Sequence, residues 1–299
     1  MRICERIRTM ADPVVTLSEF FTRYPRWLVL TGAGISANSG IPTYRDREGN
    51  WLGANPILHQ EFLQSHAKRQ RYWGRSMIGW PGVQRATPNR HHDALVQFER
   101  AGRIESLITQ NVDRLHQRAG SKRTIDLHGR LDRVRCLDCG ARYQREAIQR
   151  ALLQLNPHNT EGPSALRPDG DADLSDDLVA SITVPSCDAC GGMLMPDVVF
   201  FGGAIPKEKV TAGERALEAA DAMLVIGSSL QVYSGFRLCR QAAALGKPLL
   251  IANEGITRAD EMATLKLSEN ALDQVSTVLE QHRALRSSIA PTTTEAMHE

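Results

Sequence analysis

The chain alternates short apolar runs with longer segments of helical character. The apolar runs are "WLVL" (27–30), "IESLIT" (104–109), "AMLVIGSS" (222–229) and "PLLIAN" (248–253), and a shorter one, "TIDLHG", ends at His128. Each run predicts a β-strand, and the segments between them predict helices. Strands separated by helical segments indicate a parallel, doubly wound sheet.

Helix boundaries are indicated by capping residues, prolines and glycines. Thr16 and Glu19 have the spacing of a capping box, which predicts a short helix over "TLSEFFTRY". A second helix is predicted from Thr87-Pro88, with proline at the first helical position, to Gly102. Further helices are predicted over residues 56–79, up to Ala220, from about Phe236 to Leu245, and from Ala271.

The organisation changes between residues 135 and 206. This stretch is predicted to be rich in loops, and pairs of cysteines bracket it. Its middle, "NPHNTEGPSALRPDGDADLSDD", is rich in proline, glycine and aspartate and predicts a long surface insertion. The composition after Arg286 predicts a disordered tail.

Composition and charge exclude some classes of partner. The 299 residues are 42% hydrophobic and 23% charged, as in ordinary globular proteins. A formal net charge of +2 indicates neither a nucleic-acid nor a membrane partner, and no apolar run approaches the roughly 20 residues that span a bilayer. The first residues, "MRICERIRTMADP", lack the apolar region of a secretory signal, so a cytoplasmic location is expected.

Four of the six cysteines form two C-x-x-C pairs, Cys136 with Cys139 and Cys187 with Cys190. In a chain without an export signal such pairs indicate a metal site, and redox or incidental pairs are the alternative. Two turns that each carry two thiolates suit the tetrahedral sulfur site that Zn²⁺ prefers. With four protein ligands no position is open for catalysis. The sequence therefore predicts one structural Zn²⁺ per chain.

The first strand runs directly into a glycine-rich turn. Gly32, Gly34 and Ala37 have the G-x-G-x-x-G/A spacing that binds a dinucleotide pyrophosphate. A hydride-transferring enzyme would carry an acidic residue after a second strand, about 20 residues further on, but a polar loop, "REGNWLGANP", occupies that distance. Arg45 instead lies past a second glycine turn, where a guanidinium could hold phosphate or ribose. The pattern weakens the dehydrogenase interpretation.

Polar or glycine-rich residues follow every predicted strand. They are residues 31–34, 110–113, 128, 227–229 and 253–255. Ligands bind at the carboxyl ends of parallel strands, so these segments are expected to form one site. A histidine there suits general-base catalysis near neutral pH. A lone histidine is more often structural, but the four other segments favour a catalytic role for His128.

Taken together, these residues resemble the sirtuin family, the NAD-dependent protein lysine deacylases. The matching segments occur in the family's order and cover nearly the whole chain from about residue 16 to residue 282. They are "GAGISANSGIPTYR", "TQNVDRLHQRAG", "LHG", the two C-x-x-C pairs, "MPDVVFFG", "GSSLQVYSG" and "IANEG". The most similar branch is class II, which includes a mitochondrial sirtuin and many bacterial relatives.

The resemblance implies an α/β fold in two parts. One is a Rossmann-like, doubly wound parallel sheet that binds NAD, expected over residues 12–50, 85–133 and 206–285. The other is a small inserted domain with a zinc ribbon and a helical module, expected over residues 51–84 and 134–205. Residues 286–299 are expected to be a disordered tail.

The family consumes NAD as a co-substrate. The acyl oxygen attacks the ribose C1′, nicotinamide leaves, and the lysine is freed as O-acyl-ADP-ribose forms. The resemblance implies that His128 accepts a proton from the ribose hydroxyls, and that Asn111 and Asp113 hold the ribose and carboxamide region. Acyl-lysine proteins or peptides are the expected partners, with no nucleic acid and no membrane.

The resemblance also implies two sets of contacts. The NAD-binding set is Gly32, Ala33, Gly34, Ile35, Tyr44, Arg45, Trp51, Gln110, Asn111, Val112, Asp113, Gly227, Ser228, Ser229, Asn253, Glu254, Gly255 and Ala271. The substrate-binding set is Val198, Val199, Phe200, Phe201, Gly202, Val232 and Tyr233. From the residue pattern alone, "PDVVFFG" favours a core strand. The resemblance implies that residues 198–202 and the loop 231–235 hold a substrate peptide between them as an added strand, with Phe201 against the lysine.

Departures from the family pattern leave the specificity open. Thr43 and Tyr44 stand where many sirtuins have Asp and Phe, and Gly203 replaces a common acidic residue. The Tyr-x-x-Arg pair of sirtuins that prefer acidic acyl groups is not evident, so such groups are disfavoured. Longer acyl groups of the lipoyl type and ADP-ribosyl transfer remain alternatives. Two other classes compete: a nicotinamide-dependent oxidoreductase with a zinc ribbon, and an NAD-sensing module without activity.

Overall fold

A computed structural model describes residues 13–52, 56–158 and 174–287. Most of the predicted insertion and the end of the predicted tail lie outside the described residues, as does the N-terminal segment. The helices are α1 Pro13–Arg23, α2 His59–Gln64, α3 His66–Arg85, α4 Arg90–Arg100, α5 Leu115–Ala119, α6 Arg145–Leu155, α7 Asp176–Ser181, α8 Lys207–Ala219, α9 Tyr233–Ala244 and α10 Ala271–Ser287. The strands are β1 Trp27–Thr31, β2 Ile104–Thr109, β3 Thr124–Asp126, β4 Gly129–Cys136, β5 Arg142–Gln144, β6 Leu194–Val198, β7 Ala222–Ile226, β8 Leu249–Ala252 and β9 Leu265–Leu267.

The larger sheet has six strands in the order β3-β2-β1-β7-β8-β9. Every neighbouring pair in it is parallel, so all six strands end at the same edge. The order reverses between β1 and β7, and doubly wound sheets bind ligands at such a switch point. The predicted α/β fold with a Rossmann-like parallel sheet is confirmed.

Both faces of this sheet are covered, because side chains of a strand alternate between its two faces. Trp27 and Val29 of β1 lie in a cluster with residues of α1, α4 and α10. Leu28 and Leu30 lie in a second cluster with residues of α8 and α9. All five residues of β1 are buried, which explains the continuous apolar run.

A second sheet, β5-β4-β6, is antiparallel and has three strands. Residues of α2, α3 and α6 share its hydrophobic cluster. The guanidinium of Arg145 is fully buried in this region, 5.6 Å from the ring centroid of Trp73 and 4.9 Å from that of Trp80. It also donates to the backbone oxygen of Ser76 at 3.2 Å and to its hydroxyl at 3.0 Å.

Two predicted helix starts are wrong. The first helix begins at Pro13, so Thr16 lies inside it and does not cap it. The fourth begins at Arg90 and not at Pro88, because Asn89 caps it by accepting a hydrogen bond from the amide of His91 at 3.0 Å.

The described parts of the stretch 135–206 contain more regular structure than predicted, namely α6, α7, β5 and β6. Other boundaries also differ: β3 ends at Asp126, two residues before His128, and α9 begins at Tyr233 rather than near Phe236. The last helix reaches Ser287, beyond the predicted start of the tail. The domain boundaries stay a prediction. Among the helices that the structure describes, none combines the length and apolar character needed to cross a bilayer.

Candidate active site

One large cavity, of about 670 Å³, opens at the carboxyl edge of the parallel sheet. This volume is within the range of about 300–1,000 Å³ that ligand sites usually have. The predicted residues that line it are Gly32, Ala33, Gly34, Tyr44, Arg45, Trp51, Gln110, Asn111, Val112, His128, Val198, Val199, Phe200, Phe201, Gly202, Gly227, Ser228, Ser229, Val232, Tyr233, Asn253, Glu254 and Gly255. The fold therefore brings together all five strand-end segments.

Three residues of the predicted catalytic and NAD-binding sets do not line this cavity. Ile35 and Ala271 are fully buried in the core on the side of α10, although Leu272 and Asp273, next to Ala271, do line it. Asp113 faces a neighbouring recess of about 20 Å³.

The two glycine turns after β1 and β7 are in direct contact. The amide of Gly34 donates to the carbonyl of Gly227 at 2.9 Å, and a Cβ atom on Gly34 would lie 2.8 Å from the Cα of Gly227. A Cβ on Gly227 would lie 2.5 Å from the amide nitrogen of Ile35. Only glycine permits this close approach. Glycine is therefore needed at positions 34 and 227 for the packing of the cavity floor, whether or not a ligand is bound.

Replacing Gly227 with alanine is therefore expected to destabilise the protein even without a ligand. Gly227 has φ 61°, and the left-handed backbone costs a side chain about 1–2 kcal/mol. Overpacking adds about 1–3 kcal/mol. Gly246 is the matched control, because its φ is 65° but a Cβ there would meet open space. Urea unfolding without NAD should show the larger loss for Gly227→Ala, and equal losses in both variants would contradict the steric argument.

His128 is held at both ring nitrogens. Nδ1 lies 3.0 Å from the carbonyl oxygen of Gln110, and Nε2 lies 2.8 Å from the hydroxyl of Ser234. Since a carbonyl only accepts, Nδ1 carries the proton and Nε2 accepts from the hydroxyl. The pKa of His128 is lowered to about 4, mainly by burial and also by the nearby charge of Lys209, while the hydrogen bond to the carbonyl of Gln110 opposes the shift. The ring is therefore neutral at pH 7 and can act as a base.

Asn111 and Asp113 belong to a buried network under the first glycine turn. The Asn111 amide donates to the carbonyl of Gly32 at 3.1 Å and to the hydroxyl of Ser36 at 3.0 Å. That hydroxyl donates to Asp113 at 2.7 Å, and the amide of Leu115 donates to the same carboxyl group at 2.8 Å. Burial raises the pKa of Asp113, and these two hydrogen bonds oppose the shift. The network fixes the carboxyl group at the edge of the recess.

An aromatic wall closes another side of the cavity. The ring centroid of Trp51 lies 5.9 Å from that of Tyr44 and 5.6 Å from that of Phe201. The guanidinium of Arg45 stacks 4.2 Å from the Trp51 centroid and donates to the carbonyl of Gly49 at 2.7 Å. Arg45 is thus already oriented, with donor groups left for an anion.

The loop that carries this wall is attached to the turn after β8. The amide of Ile256 donates to the carbonyl of Arg47 at 2.9 Å, and the Arg47 guanidinium pairs with Glu254 at 2.9 Å. A Cβ on Gly255 would lie 2.4 Å from the Arg47 carbonyl oxygen. Glu254 thus has a cationic partner, and the small glycine allows the two segments to meet.

The predicted substrate segment is only partly a strand. β6 ends at Val198, and the amide of Val199 donates to the carbonyl of His128 at 2.7 Å. Phe200 is buried, with its ring 4.9 Å from that of Phe62 and 5.2 Å from that of Tyr72. Residues 198–202 therefore line the cavity, and Phe200 also packs in the core, while the binding of a substrate peptide by this segment stays a prediction.

Sequence reasoning missed several lining residues. They include Ile57, Tyr72, Leu230, Leu272 and Asp273. Ile57 and Tyr72 carry no signal of a site, because apolar residues in a segment of helical character are normally core residues. Ser234 lies in the loop 231–235, which the resemblance places beside the substrate peptide, but no role of its own was predicted for it.

The four paired cysteines form a separate cluster, and their sulfur atoms all lie within 4.8 Å of one another. The Sγ atoms of Cys136 and Cys190 are 3.5 Å apart, and those of Cys139 and Cys187 are 3.7 Å apart. A Zn²⁺ with tetrahedral Zn–S bonds of about 2.3 Å requires sulfur separations of about 3.8 Å. The residues therefore fit a structural Zn²⁺ with four thiolate ligands.

Contacts around the cysteines orient them. The hydroxyl of Tyr143 lies 3.0 Å from the sulfur of Cys187. Asp138, in the first cysteine turn, accepts a hydrogen bond from the amide of Met193, after the second turn, at 2.7 Å. Such contacts outside the ligand set fix the ligands of a metal.

Comparisons with known proteins agree with this geometry. The model of the Sir2 family matches residues 32–234. An NAD-dependent protein deacetylase of Xanthomonas axonopodis pv. citri (strain 306) is 51% identical over 85% of this chain and 87% of its own length. The NAD-dependent protein lipoamidase sirtuin-4, mitochondrial, of Bos taurus is 46% identical over 86% of this chain and 82% of its own. A solved structure of Sir2Tm bound to a propionylated peptide has a TM-score of 0.72 and 30% identity, over 91% of this chain and 99% of that one.

Proposed function

Because this chain belongs to the Sir2 family, we propose that its large cavity is where NAD is cleaved and an acyl-lysine is freed. The chain is an NAD-dependent protein deacylase, and its substrates are acylated peptides or proteins. One observation carries the proposed site: His128, neutral and fixed at both nitrogens, lies in a cavity where the carboxyl ends of the parallel strands meet.

The residues present suit NAD. Along the edge of the sheet the cavity has polar groups of Gln110 and Asn111 after β2, then the glycine turns after β1 and β7 for the pyrophosphate, and then Asn253 after β8. When bound, NAD supplies a ribose carbon that can be attacked and nicotinamide as the leaving group. The amides of Gly32, Gly34 and Gly227 already donate to carbonyls of the protein, so these glycines serve by letting the pyrophosphate approach the backbone closely. Arg45 adds a cation with donor groups left for the phosphate.

The position of each residue in the cavity supports the role that we propose for it. His128 accepts a proton at Nε2, since Nδ1 is occupied by Gln110. Asn111 and Asp113 orient the ribose and the carboxamide from the buried network, and Asp113 does so at the small recess rather than in the main cavity. The wall of Tyr44, Trp51 and Phe201 excludes water from the reacting centre.

The acyl group is proposed to lie against an apolar end of the cavity. Ile57, Tyr72 and Phe200 line the cavity there and belong to one hydrophobic cluster. Such a surface favours uncharged acyl groups, since burying a carboxylate without a partner is costly. The lipoamidase named among the relatives supports long, uncharged acyl groups as a second candidate.

A panel of acyl-lysine peptides tests this proposal. Acetyl, butyryl and lipoyl peptides should each release free lysine peptide and nicotinamide, measured by mass spectrometry. A methylglutaryl peptide, which carries a charge, should react at least about 10-fold more slowly. The absorbance of reduced nicotinamide should not appear. Preference for methylglutaryl would contradict the proposed acyl site, and reduced cofactor would favour the oxidoreductase alternative.

A further inference from the structure

We propose that Ser234 passes the proton between the NAD ribose and His128, so that the base acts through a serine hydroxyl rather than directly. The inference rests on the proposed function, in which His128 is the base. The hydroxyl lies 2.8 Å from Nε2, and both residues line the cavity.

The imidazole ring of His128 can take only a limited set of hydrogen-bond partners. A neutral histidine has one donor nitrogen and one acceptor nitrogen. Nδ1 donates to the carbonyl of Gln110, and the lone pair of Nε2 already receives the hydroxyl of Ser234. A ribose hydroxyl could reach Nε2 only by displacing Ser234, which would leave that hydroxyl without its partner.

The position of Ser234 is fixed by the same residue that fixes His128. Ser234 is the second residue of α9, and the next residue, Gly235, packs on the side chain of Gln110 so closely that a Cβ atom would lie 2.7 Å from its Nε2. The hydroxyl of Ser228 donates to the other side-chain atom of Gln110, Oε1, at 2.6 Å. Gln110, His128 and Ser234 therefore form one connected set, which favours a relay over displacement.

The proton transfer balances without any other reactant. Ser234 accepts at Oγ the proton of a ribose hydroxyl and gives its own hydroxyl proton to Nε2 of His128. The ribose oxygen keeps the electron pair of the broken O–H bond, His128 becomes positively charged, and Ser234 is neutral before and after. A hydroxyl can do this because it donates and accepts at the same oxygen.

The test compares Ser234→Ala, Ser234→Thr and wild type. Ser234→Ala should lower kcat for lysine release by about 10- to 100-fold, part of the effect of a positioned acid–base group. Exchange of labelled nicotinamide into NAD, which precedes the proton transfer, should change by less than about threefold. Ser234→Thr keeps a hydroxyl and should therefore retain most of the wild-type rate of lysine release. Ser106→Ala, which removes a serine hydroxyl bonded to the carbonyl of Arg123, is the control and should keep the wild-type rate.

A second readout needs neither NAD nor activity. In the ¹⁵N spectrum of the free protein, Ser234→Ala should move the Nε2 signal of His128 towards that of a ring nitrogen without a donor, and Nδ1 should remain protonated. Unchanged or faster lysine release, a parallel loss of exchange, or an unchanged Nε2 signal would overturn the relay. If His128→Ala abolishes lysine release while Ser234→Ala does not, the proposed function stands and this inference fails.

Discussion

Replacing His128 with alanine is expected to lower kcat for lysine release by about 10²- to 10⁴-fold, the usual contribution of a positioned general base. Exchange of labelled nicotinamide into NAD should persist, because that step does not require the base. The measurement is the ratio of the two rates with an acetyl-lysine peptide. His66→Ala, which alters an exposed histidine in the first turn of α3, should keep both rates.

The pH dependence gives an independent check on the base. Burial lowers the pKa of His128 to about 4, so the ring stays neutral from pH 8 down to about 5. A base must be unprotonated to act. We therefore expect kcat/KM to decrease as the pH falls through about 4, the pKa of His128, and not through 6.5, the pKa of an ordinary histidine. Unchanged lysine release in His128→Ala would refute the proposed mechanism.

Replacing Cys136 with serine is expected to have the largest effect on stability. The variant removes one of four sulfur ligands, and structural zinc sites contribute about 10–16 kcal/mol of apparent binding energy in small domains. We expect the zinc content to fall from about one per chain to near zero. The sheet β5-β4-β6 should lose its order, and Tm should fall by about 10 °C or more.

Metal analysis and thermal unfolding measure these changes together. Cys239→Ser is the matched control, because Cys239 is buried outside the cluster and its sulfur donates to the carbonyl of Gly235. This control should keep its zinc. A Cys136→Ser protein with full zinc content and wild-type stability would show that the cluster does not hold the small sheet.

The parallel sheet could be predicted because its physical cause is local in the sequence. The continuous apolar run from Trp27 to Leu30 reflects a strand covered on both faces, and the glycines after it reflect the contact with Gly227. Two C-x-x-C pairs with following glycines likewise define a metal site without any knowledge of the fold. In each case the signal is carried by residues that are close in the chain, within one strand and its turn or within one C-x-x-C pair.

α6 could not be predicted in the same way. Ile148 and Leu152 are four residues apart on its buried face, but that face also includes Arg145 and Gln149. From the sequence alone an arginine is expected at the surface. Its burial is explained only by the rings of Trp73 and Trp80 of α3, which pack against it. β9 could not be predicted because it lies in "ATLKLSEN", where polar and charged residues interrupt the apolar positions and no apolar run indicates a strand.

The candidate site, too, could be predicted from the sequence only in part. The lining residues at strand ends could be predicted, whereas the partners of His128 depend on contacts between distant segments. Ser234 lies 106 residues from His128 in sequence, and only the start of α9 at Tyr233 brings the two together. Asp113 is likewise in the predicted segment but faces the recess, because Ser36 holds its carboxyl group.

The cysteine cluster also has a consequence for the order of folding. Its two turns are far apart in the chain: 48 residues separate Cys139 from Cys187, and 54 separate Cys136 from Cys190. Closing a loop of this length costs roughly 3 kcal/mol of chain entropy before any contact compensates for it. β4 and β5 are adjacent in sequence and can pair early, whereas β6 joins them across the whole insertion. The four thiolate ligands are complete only once this loop has closed, so we expect β6 to join the small sheet in the same step that completes the metal site.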